Sequence, residues 1–197
     1  MSSLLFIVGL ILSLAVIVYL FFLQKNEIDT DDWKVFAQTH QFHYDTKHNE
    51  FKYPAVYGVK ETRHFFMGYF VETVSEDIQN RYTLMRLQLR GFFPHGLQIH
   101  ENIFSSSFTQ NLIDRTVVRT LDADFDNKIC VKAKNEDDAL TYLTPGRKMS
   151  IRKLIALKGS LKENGLFYQV ENRISGVENI NNTFNAFWEI ANELDGN

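Results

Sequence analysis

Hydrophobic positions along this chain fall into three patterns, each predicting a different element. The first is an unbroken run, LLFIVGLILSLAVIVYLFFL, twenty residues from Leu4 to Leu23 without a charge. At about 1.5 Å of rise per residue a helix of that length spans about 30 Å, the thickness of a bilayer's hydrocarbon core. Sixteen of the twenty are Leu, Ile, Val or Phe, each favouring insertion by roughly 0.3–0.6 kcal/mol near a helix centre. A cleaved signal peptide fits less well. No Lys or Arg precedes the run, it exceeds the usual apolar core of a signal, and no A-x-A-like site follows Leu23. The expectation is therefore an uncleaved single-pass anchor over residues 1–23, a short polar linker over 24–32, and a soluble domain over 33–197.

The second pattern is period-two alternation. Met85, Leu87 and Leu89 alternate with Arg86, Gln88 and Arg90, and Ile129, Val131 and Ala133 alternate with Cys130 and Lys132. Both read as half-buried strands. Ala55–Lys60 and Arg63–Val71 are β-branched and aromatic and meet at Glu61-Thr62, which predicts a hairpin. Further strands are expected at Leu97–Ile103, Arg115–Thr120 and Leu166–Val170. Ser105–Ser107 reads as a loop and Asp122–Asn127 as a turn.

The third pattern is helical. Trp33, Phe36, Ala37 and His40 share one face of a helix over Thr30–Gln41. Asn135 caps a short helix with an acidic first turn. Thr144-Pro145 has the cap and N1 chemistry that opens another, running to about Lys158. Near the end Val177, Ile180, Phe184, Phe187, Ala191 and Leu194 recur at three- and four-residue spacing, behind a capping-box pattern at Ser175 and Glu178. Helices do not alternate regularly with strands, so the expected class is α+β with a largely antiparallel sheet and a C-terminal amphipathic helix.

Composition narrows the chemistry. The formal charge is −3, which lacks the basic excess of a nucleic-acid binder. One cysteine excludes an intramolecular disulfide and a cysteine-based zinc site. Only Lys25 and Lys34 flank the span, both after it, so the positive-inside rule puts the domain in the cytoplasm.

The stretch 121–150 carries a motif: Asp124-Phe125-Asp126, Val131, the acidic turn Glu136–Asp138, and Leu143-Thr144-Pro145. It resembles a bacterial family of uncharacterised membrane-associated proteins, whose members often place glycine where Leu121 stands here. The resemblance implies an N-terminal membrane segment and a soluble domain, and brings no catalytic residues.

Candidate sites are few. Asp122, Asp124 and Asp126 imitate the start of an EF-hand loop, but Asn127 replaces the turn glycine and Ala133 stands where the bidentate Glu belongs. His40, His43 and His48 cluster in sequence, without a HExxH core. A solvated turn and polar loop histidines explain both sets, so no metal and no other cofactor is expected. Cys130 has Lys128 and Lys132 on its strand face, which would lower a thiol pKa, but no histidine adjacent in sequence. The clearest feature is basic. Between Asp138 and Glu163 there is no acid, while Arg147, Lys148, Arg152, Lys153, Lys158 and Lys162 all occur. On an amphipathic helix these would serve a membrane surface or a protein partner.

The expected function is a non-enzymatic, membrane-anchored binding or accessory module. Its partners would be the bilayer, through Leu4–Leu23, and a protein in the same membrane. A membrane-tethered metal-dependent hydrolase and a structural, oligomerising protein are the alternatives.

Overall fold

A computed structural model describes residues 31–47, 53–75, 78–102, 116–171 and 173–196. The expected span at 4–23, residues 24–30 of the expected linker, His48 and the loop at Ser105–Ser107 lie outside the described residues; Asp31 and Asp32, placed in the linker by the sequence reading, open a helix. The chain divides into two compact units at Asp31/Asp32, and the second, Asp32–Asn197, is the one described here. No described helix is long and apolar enough to cross a membrane.

The second unit is α+β. In chain order its elements are α1 (Asp31–His40), β1 (His43–Asp45), β2 (Ala55–Lys60), β3 (Arg63–Ser75), β4 (Ile78–Gln88), β5 (Gln98–Glu101), β6 (Thr116–Val118), α2 (Ala123–Lys128), β7 (Ile129–Ala133), α3 (Glu136–Tyr142), α4 (Pro145–Ala156), β8 (Gly159–Lys162), β9 (Gly165–Glu171) and α5 (Val177–Gly196). The described strands form one sheet in the order β1-β2-β3-β4-β9-β8-β5-β7-β6. Every described pairing is antiparallel.

The β2–β3 hairpin forms at Glu61-Thr62 as its sequence predicts, with both residues in the left-handed region (φ 48° and 67°). Two positive φ values are what a tight hairpin needs to match strand twist, although Asn-Gly is the cheaper pair. Arg90 Nη1 donates to the Glu61 carbonyl at 3.2 Å and braces the turn.

Alternation sorts the sheet into two faces. Arg63, Phe65, Met67 and Tyr69 of β3 and Thr83, Met85 and Leu87 of β4 are buried on one side. There Phe184 of α5 meets Phe65 (ring centroids 5.0 Å) and Phe36 of α1 (5.5 Å) edge-on. Each buried ring of this kind contributes roughly 1.5–3 kcal/mol through burial. Gly159 lies on the same face, where a Cβ would collide with Leu154 of α4 and Phe187 of α5, so both helices can reach the sheet only over a glycine. The predicted apolar faces are the ones used: Trp33, Phe36 and Ala37 in α1, Ile151, Leu154 and Ile155 in α4, and Ile180, Phe184, Phe187, Ala191 and Leu194 in α5 are all buried.

The N-termini of α1 and α5 are tied together. Trp33 Nε1 donates to the Ile174 carbonyl at 2.9 Å, while Asp32 accepts from Arg173 (2.8 Å) and from the Gly176 N–H (2.7 Å). Helix α5 begins at Val177, so Gly176 (φ 84°), not Ser175, occupies the position before it.

Three other local readings change. Asp122–Asn127 is not a plain turn: Ala123–Lys128 is helical, because Asp122 caps it by accepting from the Phe125 N–H at 3.1 Å and Phe125 is buried as its anchor. Lys128 therefore ends a helix and does not lie on the Cys130 strand. Strand β8 has no counterpart in the sequence reading, since four residues rich in Gly, Ser and Lys carry too little alternation to register. The predicted caps at Asn135 and Thr144 hold: Asn135 accepts from the Asp137 and Asp138 N–H groups, and Thr144 from that of Arg147.

Candidate functional site

The basic residues of 147–162 are spread and mostly engaged within the domain. Arg147 turns inward, donating to the carbonyls of Leu194 (3.3 Å) and Tyr142 (3.2 Å) with its guanidinium 4.4 Å from the Tyr142 ring centroid. Arg152 and Lys148 both reach Asp122, at 3.0 and 3.9 Å, and both lie over the Phe125 ring. Lys153 pairs with Glu193 at 2.5 Å and Lys158 with Glu101 at 3.0 Å. Lys162 lies on β8 and is exposed. Hydrogen bonds from Lys153 first and Ser150 second hold the Glu193 carboxyl below its usual range. Partly exposed pairs such as these contribute about 1 kcal/mol or less each. Asp122, Glu193 and Glu101 together offset part of the positive field that the sequence alone suggests.

The three aspartates do not converge. Asp122 is the α2 cap and the acceptor for Arg152. Asp126 braces the preceding turn through the Thr120 N–H (3.0 Å) and hydroxyl (2.9 Å), and Asp124 is exposed. The histidines separate as well. His40 is bonded to Asn181 at 2.7 Å among the rings of Phe36, Phe42 and Phe184, while His43 is exposed on β1 beside Tyr57. Among the described residues no three His, Cys, Asp or Glu side chains come together as a metal site would require.

The structure does join two residues that the sequence keeps thirty apart. In the β5–β7 register His100 stands directly opposite Cys130. One ring nitrogen of His100, Nδ1, lies 2.9 Å from the Glu101 carbonyl. A hydrogen bond to Cys130, more than that carbonyl, raises the His100 pKa against the pull of burial and of Lys132. The same bond lowers the Cys130 thiol, with smaller help from the charges of His100, Lys132 and Arg119, while burial opposes. Lys132 is thus a neighbour as the sequence suggests; Lys128 is replaced in that role by Arg119, and the histidine absent from the local sequence arrives across the sheet. Both shifts run toward the charged forms, thiolate on Cys130 and imidazolium on His100.

The sheet face turned away from Phe184 has its own character. On it Phe70 and Tyr82 stack at 5.4 Å and 9°, and Arg86 lies 5.5 Å from the Phe167 ring centroid. One lateral row, followed through pairings, runs Gln88, Gly165, Lys162, Gln98, Lys132 and Val117 across six strands. It contains two cations and no acid. Two adjoining grooves open on this face. One, about 580 Å³, is lined by Gln41, His43, Tyr57, Val59 and His64 among others. The next, about 350 Å³, is lined by His64, Phe65, Phe66, Arg86 and Gln88. Apart from His43, sequence reasoning missed these residues because strand alternation marks them only as the outward side of each strand.

No family model matches the chain, and no curated protein matches it in sequence. Among solved structures its fold is similar to that of the mycobacterial trehalose monomycolate transport factor A, TtfA, with a TM-score of 0.53 at 10% identity, over 83% of this chain and 90% of that one. At that identity the likeness is one of fold: a large antiparallel sheet with helices, including one at the C-terminus.

Proposed function

We propose that this chain is a single-pass membrane protein whose α+β domain works by binding, as an accessory module at the membrane surface and on its cytoplasmic side. The observation that carries the reading is the uncharged run Leu4–Leu23, long enough to span and too long for an ordinary signal core. Two others support it. Of the carboxylates and imidazoles that the sequence offers for metal or acid–base chemistry, Asp122, Asp126 and His40 are spent on a helix cap, a turn brace and a bond to Asn181. The fold also resembles TtfA, by name a transport factor for trehalose monomycolate. In this reading the module assists another membrane component and performs no chemistry of its own.

The partner surface is the grooved sheet face in preference to the cations of 147–162, because Lys148, Arg152, Lys153 and Lys158 already have carboxylate partners. The test is fractionation of the full chain beside a variant lacking residues 4–23. The full chain should sediment with membranes and resist an alkaline carbonate wash, and the shortened one should remain soluble. A full chain released by carbonate would overturn the proposal.

A further inference from the structure

The groove between β3 and β4 has an unusual lining. The buried and half-buried arginines of the domain end on an acceptor: Arg63 on Asp195 and Asn192, Arg147 on two carbonyls, Arg173 on Asp32. Arg86, exposed on β4, does not. Its guanidinium carbon lies 5.5 Å from the Phe167 ring centroid, and among the described residues no carboxylate or carbonyl receives its N–H groups. The arrangement depends on Gly165, where a Cβ would come within 2.9 Å of Phe167 and 3.5 Å of Arg86 Nε. A glycine there lets the ring and the guanidinium lie across the sheet surface.

His64 and Gln88 line the same 350 Å³ groove as Arg86, and the groove contains no Asp or Glu. Three side chains able to donate hydrogen bonds thus border one concave space with no anion to receive them. Past His64 the surface continues into the larger groove, with Val59 and Tyr57 on its wall and again no acid in its lining. Val59 is 57% exposed there, an apolar side chain in water at the edge of a cationic pocket.

We infer that this double groove is a binding site for an anionic amphiphile: a phosphate or carboxylate group on Arg86, His64 and Gln88, with the apolar body along Val59 and Tyr57. A guanidinium braced on an aromatic ring is suited to this, since its planar fork meets two oxygens of an anion at once and little freedom is lost on binding. The inference rests on the reading of the domain as a binding module, and it names the ligand class.

The probe is octyl phosphate, titrated calorimetrically into the full chain in phosphatidylcholine nanodiscs with empty discs as the blank. Saturable binding is expected, with inorganic phosphate at least about tenfold weaker because it lacks the apolar body. Arg86→Gln should weaken octyl phosphate at least about tenfold, and Arg86→Lys less, since the charge stays and the fork is lost. Arg81→Gln, an exposed arginine on the same strand outside the groove, should change nothing. An unaltered melting profile for Arg86→Gln separates lost binding from lost fold. Equal binding of inorganic phosphate would overturn the amphiphile assignment in favour of a free anion, and undiminished binding by Arg86→Gln would overturn the site. Either result leaves membrane attachment untouched, whereas release of the full chain from membranes would overturn the module and not the groove.

Discussion

Replacing Asp195 should be the most damaging single change at the C-terminal end of α5. Its carboxylate accepts from Arg63 Nε and Nη2 at 3.0 and 2.6 Å, and its other oxygen accepts from the backbone N–H groups of Arg90 (2.9 Å) and Gly91 (3.0 Å). The Arg63 side chain is 0% exposed and that of Asp195 9%. Asp195→Ala therefore strands a buried guanidinium that retains only Asn192, at 2.8 Å, and the Trp188 ring. Breaking a buried pair by removing one partner costs about 3–5 kcal/mol. A charge separation of about 4 Å at an effective dielectric near 20 gives about 4 kcal/mol by Coulomb's law. The two lost backbone bonds add little, because Arg90 and Gly91 are exposed and water replaces the oxygen. A loss of about 3–4 kcal/mol corresponds to roughly 6–16 °C in Tm for a domain of this size. The assay is urea and thermal unfolding of residues 31–197, followed by the fluorescence of Trp33 and Trp188. Asp195→Asn should cost less, and Arg63→Met combined with Asp195→Asn should recover at least half of the loss. A cost below about 1 kcal/mol for Asp195→Ala, as expected for the exposed Lys153–Glu193 pair, would refute the reasoning.

Three further outcomes are expected. The alkylation rate of Cys130 should rise with pH through a midpoint below that of an ordinary thiol, and His100→Gln should move the midpoint upward, because the bond that stabilises the thiolate is gone; an unmoved midpoint would place the cause elsewhere. The Tyr142 hydroxyl is buried without a hydrogen-bond partner among the described residues, and burial pushes its pKa upward. Tyr142→Phe should thus be neutral or stabilising by up to about 1 kcal/mol in the same unfolding assay. Leu121 is 97% exposed with φ 61°, a conformation that costs a non-glycine residue roughly 1–2 kcal/mol. Leu121→Gly should stabilise by up to about 1 kcal/mol after the entropy of the added glycine is offset, and a measured loss would contradict the strain.

The parts of the fold written into local sequence are those where period and cap agree. Helix α5 repeats its buried residues at the spacing of a helix face, and β4 and β7 alternate cleanly, so each can be read without its neighbours. Pro145 behind Thr144 fixes the start of α4 for the same reason. Longer-range pairing is not written locally. Cys130 meets His100 only through the β5–β7 register, and no local pattern encodes that. The cations of α4 show the converse: their sequence lacks acids, but Asp122, Glu193 and Glu101 arrive from α2, α5 and β5 to pair with them. Strand β8 is only four residues long and opens on glycine because α4 and α5 cross it at Gly159, and that packing requirement left too little alternation to announce it. Arg86 is likewise indistinguishable in sequence from any exposed strand arginine until Gly165 and Phe167 are brought beside it.

The most direct measurement is the intact mass of the polypeptide recovered from carbonate-washed membranes. A mass corresponding to residues 1–197, with Leu4–Leu23 still attached, is the predicted result. A mass that begins downstream of Leu23, or a polypeptide found only in the soluble fraction, would contradict the proposal of a permanently tethered binding domain.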